Sequence, residues 1–236
     1  MKILIIIPAY NEAENIERVV NNLIINYPQY DYIIINDCSK DNTENICKEN
    51  SYNFISLPVN LGIGGAVQCG YRYALDYKYD IAIQLDGDGQ HDPAYIDMII
   101  KPIIRKEASM VIGSRFIENK GFQSSLMRRF GIWIIKVVIR ICCGAKVTDT
   151  TSGFRATSKE LIKLFSGEYA HDYPEPEAIV YAVLNGYNVF EVPVIMNERK
   201  GGISSINTLR SVYYMFKVPL ALFIYRLGIK KKKKEK

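Results

Sequence analysis

Two hydrophobic rhythms alternate through the first half of the chain. Short apolar runs at Ile3–Ile7, Tyr32–Ile35, Phe54–Leu57, Ile81–Leu85 and Met110–Gly113 read as strands. Such near-continuous runs suit strands buried on both faces of a parallel sheet. Between them, Asn15–Asn26, Asp41–Glu49, Gly64–Tyr77 and Pro93–Lys106 repeat their apolar positions at helical spacing. Asn11 lies near the start of the first of these helices, and Pro93 sits in the first turn of the last, where a missing N–H costs nothing. This βαβα order predicts an α/β fold, a mostly parallel central sheet flanked by helices. Beyond residue 114 the pattern changes to one long helix, Ser124–Cys143, carrying Arg128, Arg129, Lys136 and Arg140. A further helix from about Glu175 to Asn185 and a strand at Val189–Pro193 follow. No Pro/Gly/Ser-rich linker and no internal repeat divides the two halves.

In sheets of this kind, ligands bind outside the carboxyl ends of the strands. Three strand ends here carry polar groups: Pro8-Ala9-Tyr10-Asn11-Glu12, Asn36-Asp37 and Asp86-Gly87-Asp88-Gly89-Gln90-His91. Two carboxylates one residue apart repel each other unless something positive lies between them. A hard divalent cation, Mn2+ or Mg2+, bridging to a diphosphate answers that requirement, and the glycines let the backbone turn tightly beside it. Asp88 and Asp86 are the first candidates for metal ligands, with Gln90 and His91 behind them. The glycines of Asn60-Leu61-Gly62-Ile63-Gly64-Gly65 open a helix, where backbone N–H groups could cradle phosphate. Asp172-Tyr173-Pro174-Glu175-Pro176-Glu177 gathers three carboxylates at the start of a helix. The same acids also suit the positive end of a helix dipole.

Composition changes the picture in two places. The five cysteines have no metal-ligand spacing and are odd in number, which predicts free thiols in a reducing compartment. The net charge of +5 is a property of the tail: from Arg226 onward seven basic residues face one acidic residue, so the body carries about −1. A nucleic-acid-binding protein would spread its basic residues over a folded face, so nucleic acid is not expected as a partner. The first strand begins at residue 3, leaving no room for a signal peptide, and no stretch offers ~20 uncharged apolar residues. Ser211–Ile229 is apolar and aromatic but interrupted by Lys217, Pro219 and Arg226. With Lys230–Lys234 directly behind it, this segment is expected to lie on an anionic membrane surface.

The motifs Pro8-Ala9-Tyr10-Asn11-Glu12, Asn36-Asp37, Asn60-Leu61-Gly62, Asp86-Gly87-Asp88-Gly89-Gln90-His91, Gly113-Ser114-Arg115 and Thr151-Ser152-Gly153-Phe154-Arg155 occur in that order. Together with Glu191-Val192-Pro193-Val194 and Arg199-x-x-Gly202-x-Ser204-Ser205-Ile206, they resemble the family 2 glycosyltransferases of the GT-A fold, in the dolichol-phosphate-mannose-synthase-like branch. The resemblance implies a catalytic domain over residues 1–209, with a nucleotide-binding half (1–114) and an acceptor half (115–209), followed by a membrane-interfacial segment with a polybasic tail (210–236). It implies inverting, metal-dependent transfer from a nucleotide-diphospho-sugar, UDP-linked by preference and TDP-linked as an option. The acceptor would be a lipid-linked saccharide or polyprenyl phosphate at the cytoplasmic face of the cell membrane, with an integral membrane partner possible. A non-catalytic nucleotide-sugar-binding subunit is the alternative.

Position by position, Pro8, Ala9, Tyr10, Glu12, Gly62, Gly87 and Arg199 would line the donor. Asp37 would bind the base and Asp86 the ribose and metal side. Arg115, Arg128, Arg129 and Arg155 would hold the acceptor. Glu175, then Asp172, is the candidate base, with Asp149 organising the acceptor loop. Ile132 and Trp133 stand where the family has a serine, which favours a saccharide hydroxyl as acceptor over a bare lipid phosphate.

Overall fold

The computed structural model describes residues 1–118, 126–171, 173–197 and 217–228, without the side chains of 126–128. In chain order the elements are β1 (Ile3–Ala9), α1 (Ile16–Asn26), β2 (Asp31–Asn36), α2 (Thr43–Glu49), β3 (Phe54–Ser56), α3 (Gly62–Asp76) and β4 (Ile81–Gln84). A 3₁₀ turn, Pro93–Tyr95, then leads into α4 (Ile96–Ile104) and β5 (Met110–Ser114). The second half comprises α5 (Leu126–Cys143), β6 (Arg155–Ser158), α6 (Lys159–Gly167), α7 (Pro174–Leu184) and β7 (Val189–Pro193). Residues 217–228 are helical and are called α8.

The strands form one sheet in the order β3-β2-β1-β4-β6-β5-β7. Every pairing is parallel except those of β6, which runs antiparallel to both β4 and β5. Neighbouring residues of a strand point to opposite faces, so the sheet buries two separate cores. Leu4, Ile6, Ile33 and Ile35 face a layer containing α3, α5, α6, α7 and α8. Ile5, Ile7 and Ile34 face α1 and α4. The α/β expectation therefore holds.

Two elements were not legible as apolar patterns. β6 reads Arg-Ala-Thr-Ser and α6 follows it without a break. A central strand need not be apolar if its polar groups are satisfied, and Thr157 Oγ1 donates to the Ala82 carbonyl at 3.1 Å. The single helix expected over Pro93–Lys106 is instead a 3₁₀ turn, capped by the Asp92 carboxylate on the Ala94 N–H, followed by the shorter α4.

The glycine-rich opening of α3 has a packing reason for its small residues. A Cβ at Gly64 would lie 1.9 Å from the Ala170 carbonyl oxygen, and the Gly64 N–H donates to the His171 carbonyl at 3.1 Å. A Cβ at Gly70 would lie 2.3 Å from Ile6 Cγ2 on β1. These glycines seat α3 against the 170–171 backbone and the sheet, and the Gly64 N–H is taken by the His171 carbonyl. Gly64→Ala is expected to lower stability by about 1–3 kcal/mol, because the obstructing atoms are backbone and cannot swing aside. Gly167→Ala, with nothing within 4 Å of its new Cβ, should be neutral or slightly stabilising. Denaturant titration of the two variants checks the contrast.

Candidate active site

The carboxyl ends of β1, β2 and β4 meet at one edge of the sheet, as parallel register requires. Ala9 pairs with Asn36, and Ile6 with Gln84. Asp37, just past β2, is 3% exposed, and its carboxylate accepts the N–H groups of Leu61 (2.7 Å) and Gly62 (2.9 Å) at the start of α3. Burial raises the Asp37 pKa, and those two hydrogen bonds oppose the rise. Gly62 takes φ +76 there, a conformation that suits glycine.

The loop after β1 docks on the loop after β2. The Glu12 N–H donates to Thr43 Oγ1 (2.9 Å), and Asn11 Oδ1 accepts from the Lys40 N–H (2.8 Å). Glu12 is nearly buried, with Asn15 Nδ2 donating to its carboxylate at 2.9 Å. Pro8 and Ala9 form a buried floor, and Tyr10 stands 40% exposed at its rim.

Asp86 and Asp88 lie on the loop leaving β4. Asp88 Oδ1 accepts the Gln90 N–H at 2.9 Å, closing a tight turn. The Gln90 carbonyl accepts the Asn197 N–H (2.9 Å), while Gln90 Nε2 donates back to the Asn197 carbonyl (3.5 Å). Thus the chain emerging from β7 crosses directly over the acidic loop.

His91 corrects an expectation. It is 5% exposed, its Nδ1 accepts the Asp86 N–H at 3.0 Å, and its ring stacks on Phe154 with centroids 5.1 Å apart. With Nε2 also 3.7 Å from Asp86 Oδ2, the imidazole buttresses Asp86 from beneath rather than offering itself to a metal.

A divalent cation fits what remains. The donors are carboxylate oxygens, which suit Mn2+ or Mg2+, and the Asp86 side chain is 35% exposed. Its approach is kept open by Gly153: a Cβ there would sit 3.0 Å from both Asp86 carboxylate oxygens. Antiparallel pairing of Gln84 with Arg155 is what brings Gly153 beside Asp86. Among the described residues no group of three His, Cys, Asp or Glu side chains could hold a metal. The remaining coordination would have to come from the substrate and water.

The expected acceptor residues behave differently. Arg115 Nε and Nη2 grip Asp149 Oδ2 and Oδ1 at 2.7 and 2.8 Å, and Asp149 is fully buried. The Glu191 carboxylate in turn accepts the N–H groups of Thr148 (2.7 Å) and Asp149 (2.8 Å). Asp149 and Arg115 form a buried ion pair that fixes the 148–151 loop, which corrects Arg115 from an acceptor contact to the partner of Asp149.

Arg155, also fully buried, donates to the Ser152 carbonyl through Nε (3.1 Å) and Nη2 (2.6 Å), and to the Glu175 carbonyl through Nη1 (3.1 Å). It is likewise corrected, from acceptor contact to a strut joining the Gly153 loop to the start of α7. Glu175 and Glu177 are both half-buried in the first turn of α7. Glu177 lines a cavity of about 500 Å3 with Tyr181 and Tyr225. Arg129 is exposed on α5. Asp172, Arg199 and the side chain of Arg128 lie outside the described residues.

Sequence reasoning missed Arg18. From α1 its Nη2 reaches the Asp88 carbonyl at 3.5 Å, and a Cβ on Gly89 would come within 2.4 Å of it. A lone arginine on an amphipathic helix carries no motif; only the docking of α1 beside the acidic loop reveals it.

The comparisons agree with this geometry. The sequence profile of Glycosyl transferase family 2 matches residues 4–165. A UDP-N-acetylglucosamine–dolichyl-phosphate N-acetylglucosaminyltransferase of Methanococcus voltae is 37% identical over 212 residues, covering 81% of this chain and 84% of the relative. A polyprenol monophosphomannose synthase of Mycolicibacterium smegmatis is 27% identical over 91% of this chain and 84% of its own length. Among solved structures, glucosyl-3-phosphoglycerate synthase of Mycobacterium tuberculosis, crystallised with Mn2+, UDP-glucose and phosphoglyceric acid, superposes with a TM-score of 0.73. It is 19% identical, and the match covers 96% of this chain and 80% of that one. The chain belongs to glycosyl transferase family 2: it is a glycosyltransferase of the GT-A fold in the dolichol-phosphate-mannose-synthase-like branch.

Proposed function

We propose that this enzyme carries out inverting, metal-dependent transfer of a sugar from a nucleotide-diphospho-sugar, UDP-linked by preference, to a polyprenyl-type lipid phosphate. The observation that carries the reading is Asp86, left reachable by Gly153 and followed by Asp88 on the same loop, at the sheet edge that also holds Asp37. Relatives named for transfer to dolichyl phosphate and undecaprenyl phosphate, and for synthesis of polyprenol monophosphomannose, support the acceptor class. They shift the preference from a lipid-linked saccharide to the lipid phosphate itself. The work would take place at the cytoplasmic face of the membrane.

In this reading Asp37 accepts from the base, Tyr10 covers the nucleoside, and Asp88 with Asp86 would hold the cation. The cation's chemistry is neutralisation of the diphosphate as the bond between it and the anomeric carbon breaks. His91 keeps the Asp86 backbone in place during that step. The acceptor oxygen bonds to the anomeric carbon from the opposite side. A phosphate oxygen arrives already ionised and needs no base, whereas a hydroxyl would pass its proton to Glu175.

Two contrasting outcomes are expected from the acidic residues. Asp88→Ala should lower nucleoside-diphosphate release at least about a hundredfold, while the loss of its turn hydrogen bond to Gln90 costs only about 1 kcal/mol of stability. Asp149→Asn should instead destabilise the fold by about 3–5 kcal/mol, since it removes the buried negative charge that Arg115 Nε and Nη2 grip. Parallel assays of turnover and thermal unfolding separate the two roles.

With polyprenyl phosphate as acceptor, Glu175→Gln should retain activity within about tenfold. A loss of about 10²–10⁴-fold would mean that a hydroxyl is the nucleophile. The choice is read by assaying the variant against a phosphate and a saccharide acceptor.

Base recognition also has a pH signature. An N–H donated by the base favours ionised Asp37, so protonation competes with nucleotide. Affinity should weaken as pH falls through the raised Asp37 pKa. Asp37→Asn should remove that component of the pH dependence, measured by calorimetric titration of UDP against both proteins.

A further inference from the structure

β4 reads Ile-Ala-Ile-Gln with all four residues buried, and its last residue, Gln84, is 1% exposed. In register Gln84 lies between Ile6 of β1 and Arg155 of β6, and residues paired across strands share a face of the sheet. A central position of this kind favours apolar side chains. A buried carboxamide there needs hydrogen-bond partners for both its oxygen and its nitrogen.

The nitrogen has one. Nε2 donates to Asp86 Oδ1 at 3.2 Å, whereas Oε1 has no hydrogen-bond partner among the described residues. Turning the amide over would not help, because it would set an acceptor against a carboxylate oxygen. The interior therefore carries an unmet acceptor, a cost that an apolar side chain of similar size would avoid. Stability alone gives no reason for glutamine at this position; its hold on Asp86 does.

The surroundings of Asp86 show what that hold achieves. His91 Nδ1 accepts the Asp86 backbone N–H (3.0 Å), which leaves the imidazole proton on Nε2, 3.7 Å from Oδ2. His91 thus fixes where the Asp86 main chain sits, and Gln84 fixes which way the side chain turns. A Cβ at Gly153 would lie 2.8 Å from Gln84 Nε2 and 3.0 Å from both Asp86 carboxylate oxygens. Glycine lets the amide and the carboxylate lie together while the carboxylate stays reachable. An ionised carboxylate has about four lone-pair sites, so one amide donor orients it and leaves others for a cation.

We infer that Gln84 is a positioning residue for the cation site: its amide holds Asp86 Oδ1, and with it the orientation in which Asp86 meets the metal. The inference rests on the reading of Asp86 and Asp88 as cation ligands and adds to it a buried residue that touches neither metal nor substrate. Removing a partner that orients a metal ligand typically changes metal affinity about 10–100-fold.

Gln84→Met tests this in the full chain, because methionine is of similar length and removes the donor together with the unmet acceptor. The denaturation midpoint should stay the same or rise. Mn2+ affinity in the presence of UDP, read from the electron paramagnetic resonance of free Mn2+, should weaken about 10–100-fold. The Mn2+ concentration for half-maximal turnover should rise by the same factor, while metal-free UDP affinity stays that of the unmodified protein. A variant that binds Mn2+ as the unmodified protein does would overturn the inference. So would one whose Mn2+ affinity falls only together with its stability, since Gln84 would then serve the fold.

The unmodified protein gives a second readout if the variant does not fold. With isotopically labelled glutamine, the Gln84 side-chain amide is recognised in nuclear magnetic resonance spectra by the slow exchange that its burial imposes. It should shift when Mg2+ is added to the UDP complex, and an amide that does not move would overturn the inference. No Mn2+ binding by the unmodified protein in the presence of UDP would instead overturn the reading of the acidic loop itself, and the inference with it.

Discussion

β6 runs against its two neighbours, and its register determines what the acidic loop can do. Because Gln84 of β4 lies opposite Arg155 of β6, the residues entering β6 run alongside the residues leaving β4. Gly153 is thereby laid against Asp86, and Arg155 is driven fully into the interior. A guanidinium cannot shed its proton to escape burial, so every donor must find an acceptor or incur a large desolvation cost. The carbonyls of Ser152 and Glu175 meet that demand. Their capture locks the Gly153 loop and the first turn of α7 to one another. The Arg155 charge also reaches the buried phenols of Tyr71 and Tyr169, opposing the rise in pKa that burial imposes on them.

A second polar chain secures the neighbouring strands. Glu191 on β7 holds the backbone of Thr148 and Asp149, and Asp149 holds Arg115 just past β5. β5 and β7 are parallel neighbours, so the chain closes across two strand ends of one sheet. Breaking it would strand a buried charge, which gives these residues a strong reason to be polar without touching substrate. Arginines and carboxylates at strand ends thus divide into two kinds here. Asp86 is left reachable by a missing side chain, whereas Asp149 and Arg155 are sealed by their partners.

That division explains what was legible in the sequence. Alternating apolar runs gave the βαβ half nearly element by element, because buried parallel strands and amphipathic helices imprint their periods directly. The acidic loop, Asp37 and the β1 end were legible because polar residues concentrate at carboxyl ends of strands. β6 was not, since its four residues are satisfied by hydrogen bonds rather than by an apolar pattern. The roles of Arg115, Arg155 and His91 were also misassigned. Residue type and spacing suggest chemistry, but only contacts over long sequence separation, such as Arg115 with Asp149, tell a buried partner from a reachable one. Arg18 is the converse case, a residue with no motif whose position matters because α1 packs beside the Asp88 turn.

The buried partners of Asp86 bear on how such a site can meet a lipid substrate. Among the described residues no helix is long and apolar enough to cross a membrane. In the proposed reaction the hydrocarbon chain of a polyprenyl acceptor would stay in the bilayer, and only its phosphate would have to reach the carboxylates. An acceptor that enters by its headgroup alone would do little to draw Asp86 into place, so the orientation of the carboxylate has to be set from behind. Gln84 and His91 supply that hold from the buried side, and orientation of this kind lowers the entropic part of a barrier. An apolar residue in place of Gln84 would relieve the unmet Oε1 but release the carboxylate. The sheet thus accepts a local loss of stability at the end of β4 in return for a fixed ligand, the exchange expected where function and stability make opposite demands on one residue.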